Sequence, residues 1–411
     1  MPLRLLHLHN RYQTHNPSGE TTRVLQEAKL LKDAGHDVRL MVIDNDQIPS
    51  WSWLKRARLP ARTVWSASSY RFVSEAIGEF APDVIHIHNT FPLASPSIFW
   101  SAHKSGIPVV HTLANYRLMC PAATFIRDGH PCEDCLGRAI SWPAVVHRCY
   151  RESTPASATV ATMLALHGAM KSWHRTVDLF LVGSEFARRK HIQGGIPPRK
   201  IATKPNTAPD PGRQPEHPRE HYVYVGRLGP EKNVELLLHA WARARMGSDR
   251  QLTILGSGPE RQRLELLARD LRIKAIFLGS VSRTDVTIHL LGARAIISPS
   301  VAYEVSPISI VEAFAAGAPA VVPSGGAQAE IVSSGETGMH FTSGNVEELC
   351  ACLERLEQDR VAVRLGQNAR KAYEERHSAK AVTSRLEWAY ALVGSHARDE
   401  IEPPPQAVEP A

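Results

Sequence analysis

The chain has 411 residues, of which 43% are hydrophobic and 22% charged, and it carries a net charge of +7. That length exceeds what one hydrophobic core supports, so two domains are expected. The mild basic excess suits phosphate-bearing ligands or an anionic membrane surface, and no interleaved aromatic and basic block resembles a nucleic-acid module.

The opening "MPLRLLHLHN" lacks a long apolar region and a small-residue cleavage site, which predicts no secretory leader. Leu3–His9 reads as a strand, Thr21–Ala34 as a helix, and "AGHDVRLMVI" turns at Gly35 into a second strand. "APDVIHIHN" and "GIPVVHTL" repeat the pattern, a β-branched run after a helix and a turn, which predicts a parallel sheet covered on both faces. The apolar run from Ala156 to Met170 is too short to span a bilayer. Residues 205–221 hold five prolines and no periodicity, and they read as a linker. A second set of strands is expected at Tyr222–Val225, Leu252–Leu255, Ala275–Leu278, Ala295–Ile297 and Ala320–Val322, with helices between. The expected organisation is an amino-terminal domain (1–206), a linker (207–220), a second domain (221–378), a closing helix (379–397) and a disordered tail (398–411). Two doubly wound α/β domains place ligand sites at the carboxyl ends of their strands, and a central cleft between them is the expected site.

Three stretches carry chemistry. In "YEVSPISIVEAF", Ser306 can cap a helix, Pro307 suits its first position, and Gly317 and Pro319 end it. The free N–H groups of that first turn, from Ser306 through Ile308 and Ser309, form an anion site with Glu304 at its mouth and Glu312 inside the helix. In "VGRLGPEKN", Gly226 permits a tight strand exit, while Arg227 offers a planar fork and Lys232 a point charge for phosphate oxygens. "LGSGPE" adds a turn at Gly256–Glu260. Each stretch alone also fits an ordinary solvated surface; their ordered combination is what narrows the reading.

Taken with "NPSGETTRVLQEAKLLKDAGHDV", "PDVIHIHN", "KPN" and "GGAQAEIVSSGETG", these motifs resemble a family 4 glycosyltransferase of the GT-B architecture over nearly the whole chain. The resemblance implies two Rossmann-like domains and a sugar moved from a nucleotide diphosphate donor to a hydroxyl acceptor with retention, in surface polysaccharide or glycolipid synthesis. It implies that Arg227 and Lys232 hold the diphosphate, that Glu312 accepts hydrogen bonds from the ribose, and that Glu304 faces the donor sugar. Backbone N–H groups after Glu304, at Ser306, Ile308 and Ser309, would cradle phosphate. Gly19 matches the second glycine of the amino-terminal glycine loop, with Ser18 in place of the first. Leaving-group stabilisation by cations and a helix end then needs no cofactor and no metal for transfer. A cytoplasmic enzyme, peripheral at the inner face of the plasma membrane, is the implied setting. The rival readings are a sugar-nucleotide epimerase of the same architecture and a non-catalytic nucleotide-sugar-binding protein.

The sequence departs from the family in places. Relatives carry a histidine in a stretch like "TLHNYR", where this chain has Ala114, and His111 three residues earlier, at the end of the expected strand Val109–Thr112, is the candidate substitute. Val305 stands where relatives often have a smaller residue and would narrow the sugar end of the pocket. His86 and His88 share one face of their strand, which suits a metal or, more simply, packed histidines. Cys120, Cys132, Cys135 and Cys149 resemble a cysteine-bearing insertion found in a subset of these enzymes. Their spacing fits a structural zinc, an iron–sulfur cluster, a redox role, or reduced packed thiols. Cys350 and Cys352 are expected to pack in a carboxyl-terminal helix. Trp51–Arg71 holds five basic residues, no acid and three tryptophans, as an anionic membrane or a lipid-linked acceptor would favour.

Overall fold

A computed structural model describes residues 2–12, 19–212, 219–247 and 249–394. Part of the linker (213–218), Ser18 of the glycine loop, and the expected tail lie outside the described residues. The chain divides into two compact units. One comprises the residues up to Phe125, Cys132–Lys204 and the chain from Thr383; the other comprises Ile126–Pro131 and Pro205–Val382.

The first unit is built on β1 (Arg4–Arg11), β2 (Asp37–Asp44), β3 (Val84–Ile87) and β4 (Val109–Leu113). After a two-residue-per-strand hairpin, β5 (Ile126–Arg127) and β6 (His130–Pro131), come β7 (Leu179–Val182) and β8 (Ile201–Thr203). The sheet is parallel throughout, in the order β2-β1-β3-β4-β7-β8. Every residue of β3, β4 and β7 is buried, as strands covered on both faces require. The helix Gly19–Asp33 turns Val24, Glu27, Ala28 and Leu31 to the interior, one face at helical spacing that includes a carboxylate.

The second unit follows the order β11-β10-β9-β12-β13-β14, again all parallel. Its strands are β9 (His221–Val225), β10 (Gln251–Leu255), β11 (Ala275–Gly279), β12 (Ala293–Ile297), β13 (Ala320–Pro323) and β14 (Gly338–Phe341). The five strands expected here all form, within two residues at each end, and β14 adds an edge that the sequence reading omitted. Side-chain alternation divides the core: Tyr222 and Tyr224 pack on one face with Trp241 and Leu252, while Val223 packs on the other with Ile296 and Phe314.

In this order the strand sequence reverses between β9 and β12, and in the first unit between β1 and β3. Loops leaving adjacent strands at such a switch point diverge and open a crevice. Backbone crossing makes the second crevice tight. Gly256 has φ of 146°, and a Cβ there would meet the Gly226 carbonyl oxygen at 1.8 Å. A Cβ on Gly258 would meet the Leu228 oxygen at 2.2 Å. The "GSGPE" glycines thus let one loop lie directly on "VGRLG", joined by Leu228 N–H to Ser257 O at 2.9 Å.

Where a Pro-rich linker was expected, Asn206, Thr207 and Ala208 are buried. Tyr373 donates to Ala208 O at 2.8 Å, and Arg370 forks onto both Asp210 oxygens at 2.8 Å.

Candidate functional site

The second unit gathers the charged residues singled out in the sequence. β9 ends at Val225, and the chain then runs through Gly226 and Arg227 to a short turn, Pro230–Lys232, that closes at Asn233 in the left-handed region. β12 leads into the loop carrying Glu304 and the helix Ile308–Ala315. Lys232 Nζ bonds Oε1 of Glu304, both side chains being about one-quarter exposed. The pair is held by a loop-to-loop clasp: Val301 N–H donates to Glu231 O at 3.0 Å, and Ser300 Oγ lies 3.1 Å from that same oxygen. Ser300 Oγ also lies 3.3 Å from Glu304. Arg227, two-thirds exposed, faces Glu231 at 3.5 Å.

The helix that follows begins one residue later than expected. Pro307 occupies the cap position with ψ of 112°, and no side chain caps the first turn. Ser306 therefore does not cap; its hydroxyl is buried without a hydrogen-bond partner, and its carbonyl accepts from Asn206 Nδ2 at 2.9 Å. The proline ring fixes the turn that the serine would otherwise have shaped. This leaves the N–H groups of Ile308 and Ser309 at an uncapped helix end, where the dipole favours anions. Glu312, a turn and more inside, meets Arg283 at 3.1 Å. Burial pushes its carboxyl above the ordinary range, and the Arg283 charge pulls it back. Val305 is buried.

In the first unit Gly19 opens the helix Gly19–Asp33. His111 sits in the middle of β4, where the sequence reading had put it at the strand end. Its ring lies edge-on to Phe99 and Phe180, and Nδ1 reaches Ile87 O at 2.8 Å. Burial lowers its pKa to about 4, so it is neutral at physiological pH. His111 nevertheless lines a pocket at the β1/β3/β4 ends, together with Glu20, His88, Asn89, Ala114 and Arg117. Asn10 shapes that edge: its Oδ1 accepts from Leu93 and Ala94 N–H at 2.9 and 3.1 Å, and Asn89 Nδ2 donates to its carbonyl at 2.7 Å.

His86 and His88 belong to a buried polar chain. Thr112 Oγ1 meets His86 Nε2 at 2.7 Å, and His86 Nδ1 meets Tyr390 Oη at 2.8 Å. Tyr390 meets His7 Nε2 at 3.3 Å, and His7 Nδ1 meets His88 Nε2 at 3.3 Å. Each link takes one hydrogen, so the tautomer of one ring sets the next. The ligand atoms of His7, His86 and His88 lie within 4.8 Å of one another, as a metal would ask. Five of their six ring nitrogens are already engaged; His88 Nδ1 alone has no partner. Packed histidines are thus what the structure presents. Beside them Lys204, the lysine of "KPN", bonds Glu27 in full burial.

The structure places Arg227, Lys232, Glu304 and Ser306 in the loops after β9 and β12 of the second unit, and Ile308, Ser309 and Glu312 in the helix that follows the β12 loop. Sequence reasoning missed Ser300, Arg283, Glu27 and Tyr390. Glu27 had a signal, a carboxylate on the Val24/Ala28/Leu31 face; Tyr390 had none, since its partners lie more than 300 residues away.

Comparison with known proteins agrees with this architecture. Residues 18–207 match the glycosyl transferase 4-like domain and residues 211–372 match glycosyl transferases group 1. A GDP-mannose-dependent alpha-mannosyltransferase of Corynebacterium glutamicum is 26% identical over 79% of this chain and 73% of that protein. A phosphatidyl-myo-inositol mannosyltransferase of Mycobacterium leprae is 23% identical over 84% of this chain and 85% of its own. The structure of Anabaena HepE in complex with UDP-glucose superposes with a TM-score of 0.66 over 95% of this chain and 99% of that one, at 16% identity. With both halves matched in order and two Rossmann-like sheets of the GT-B kind, the chain belongs to the family 4-like, group 1 glycosyltransferases.

Proposed function

We propose that this glycosyltransferase moves a hexosyl or related group, with retention, from a nucleotide diphosphate sugar to a hydroxyl acceptor in surface polysaccharide or glycolipid synthesis. The reading rests most on one observation: the Lys232–Glu304 pair stands on the β9/β12 switch-point loops, with the uncapped Ile308–Ala315 helix end following in the same β12 loop. Lys232 has three N–H donors, so it can keep Glu304 and still reach a diphosphate oxygen. Arg227, exposed and loosely paired, supplies the second cation. The N–H groups of Ile308 and Ser309 receive a phosphate, Glu312 takes the ribose hydroxyls, and Glu304 the donor sugar. Gly19, assigned to donor binding, and His111, assigned to catalysis, serve from the amino-terminal domain, the acceptor-side domain of this reading.

In this route the bond from the anomeric carbon to the β-phosphate oxygen breaks with its electron pair going to phosphate. The acceptor oxygen bonds the same face and passes its proton to the departing phosphate. Such a step calls for charge stabilisation of the leaving group more than for a protein nucleophile. His111, held neutral by burial, acts as a hydrogen-bonding wall rather than as a cation. A thermal-shift panel of nucleotide diphosphate sugars tests the reading, because a ligand at a hundred times its Kd adds about 2.7 kcal/mol to the folded state. One donor should stand out and should support transfer with retained configuration; a flat panel, or conversion of the donor without acceptor, overturns it.

We assign an anionic membrane surface as the setting of the acceptor. No described helix is long and apolar enough to cross a membrane. Within 51–71, Trp51 is buried under Lys55 and Arg62 and is structural, whereas Trp53 and Leu54 are 76% and 55% exposed beside Lys55, Arg56 and Arg58. Exposed apolar residues flanked by cations suit the lipid interface. Sedimentation with anionic vesicles at low salt should capture the protein, and Trp53→Ala should weaken capture; no binding there would refute the assignment.

A further inference from the structure

Residues 138–151 lie in the cysteine-bearing segment of the first unit and take no part in the site above. Between Asp134 and Glu152 the chain holds three arginines, Arg138, Arg148 and Arg151, and no acid. All three are exposed, and among the described residues no carboxylate pairs with them.

The short helix Trp142–Val146 sets apolar residues among these cations. Its Pro143 and Ala144 turn inward and are buried. Trp142 and Val146, four positions apart and so on one face, turn outward. Trp142, Val146 and the neighbouring Ile140 are 54%, 65% and 59% exposed. The Arg138 guanidinium sits over the Trp142 ring at 5.6 Å, so the indole stands in water beside a cation. Large apolar side chains gathered on a surface forgo the gain that burial brings, and such a patch marks a place of contact.

The patch is tied to the stretch 51–71 through one helix. His147 N–H donates to Pro143 O at 2.9 Å, and Tyr150 N–H donates to Ser157 Oγ at 3.0 Å, in the helix Thr154–Ala169. Towards the other end of that helix, His167 Nε2 lies 2.9 Å from Val64 O, and its ring stacks on Trp65. Ser157 and His167 are about 15 Å apart along the helix axis. The helix thus carries both patches.

We propose that residues 138–151 form a second lipid-docking surface: Ile140, Trp142 and Val146 enter the headgroup–acyl boundary of an anionic bilayer, and Arg138, Arg148 and Arg151 meet lipid phosphates. The surface rests on the membrane setting proposed above and extends its contact from one patch to two. Charge decides the occupant. An anionic surface answers three unpaired cations with no acid between them, and arginine stems let the heads stay at the phosphates while apolar tips go deeper. A bilayer also needs no shape match, so it receives side chains that stand outward from a five-residue helix. Two contacts on one unit reinforce each other, because once the first is made the second meets lipid at high local concentration.

The test uses the full chain and mixed vesicles of phosphatidylglycerol and phosphatidylcholine, some with brominated acyl chains that quench a nearby indole. In sedimentation at low salt, Trp142→Ala with Val146→Ala should lower the vesicle partition coefficient about tenfold. Arg138→Gln with Arg148→Gln should lower it too, and that loss should shrink as salt rises. In the Trp53→Phe chain bromolipid should still quench emission, and adding Trp142→Phe should remove most of that quenching while capture persists. This readout needs no loss of binding, so it decides even where the alanine variants fold poorly. Undiminished capture of the alanine pair, with no quenching that Trp142→Phe removes, overturns this surface and leaves the Trp53 contact standing. No capture of the wild-type chain refutes the membrane setting, and this surface with it. Equal capture on phosphatidylcholine alone, or a dimer that the alanine pair dissociates, overturns the anionic bilayer as the occupant.

Discussion

Two polar clusters sit at equivalent places, one in each domain, and they solve opposite problems. The histidine chain at the β1/β3 edge is buried, its rings bonded to one another and to Tyr390 and Thr112, and burial holds its members neutral. The cluster at the β9/β12 edge instead pairs Lys232 with Glu304 and Arg227 with Glu231 in reach of solvent. A switch point supplies only the crevice; the dielectric around it decides whether the crevice presents neutral hydrogen bonds or charge. Under the proposed function, the second arrangement is the one that meets the diphosphate.

The contrast can be broken at several points. The largest effect belongs to Glu27 and Lys204, the one described ion pair with both side chains under 3% exposed. Glu27→Ala strands a buried ammonium and should cost about 3–5 kcal/mol in denaturant unfolding. Replacing both residues by apolar ones should recover most of that loss. Next, Lys232→Ala should lower kcat/KM by about 10²–10³ through lost leaving-group stabilisation, with the thermal midpoint little changed because the lysine is partly exposed.

Acid should separate the two clusters. His7, His9 and His111 protonate at about 4 when folded, well below their ordinary 6.5, because burial penalises the cation. The unfolded chain therefore takes up protons first as pH falls. Stability is whole above about 6.5 and drains between there and about 4, at up to about 1.4 kcal/mol per pH unit for each histidine. Equilibrium unfolding at pH 7.5, 6 and 5 (about these values) should show the decline; a flat profile would mean that the rings are hydrated. The smallest effect is Tyr390→Phe, which removes one hydroxyl from the chain and should cost about 1 kcal/mol.

Much of this was legible in the residues. β-Branched runs between helices announced both sheets, and the five expected strands of the second domain form where hydrophobic runs meet turn residues. Glycines at 226, 256 and 258 were readable as tight turns, though only the structure shows one loop lying on another. The Ser306 cap was misread because a serine before a proline satisfies two helix-start rules at once, and the proline took the cap position. His111 was misplaced because strand ends are the least certain part of a periodic pattern. The Lys232–Glu304 bond, the Arg283–Glu312 pair and the Tyr390 link join residues 29 to 304 positions apart, and local spacing carries no record of such partners.

The central claim is that a diphosphate binds at the β9/β12 edge, with Lys232 as its cation. Calorimetric titration of UDP and GDP into the wild-type chain and into Lys232→Ala tests it most directly. One charged hydrogen bond of about 1.5–3 kcal/mol predicts that the better nucleotide binds the variant about 10- to 150-fold more weakly. Equal affinity in the two chains would contradict the account.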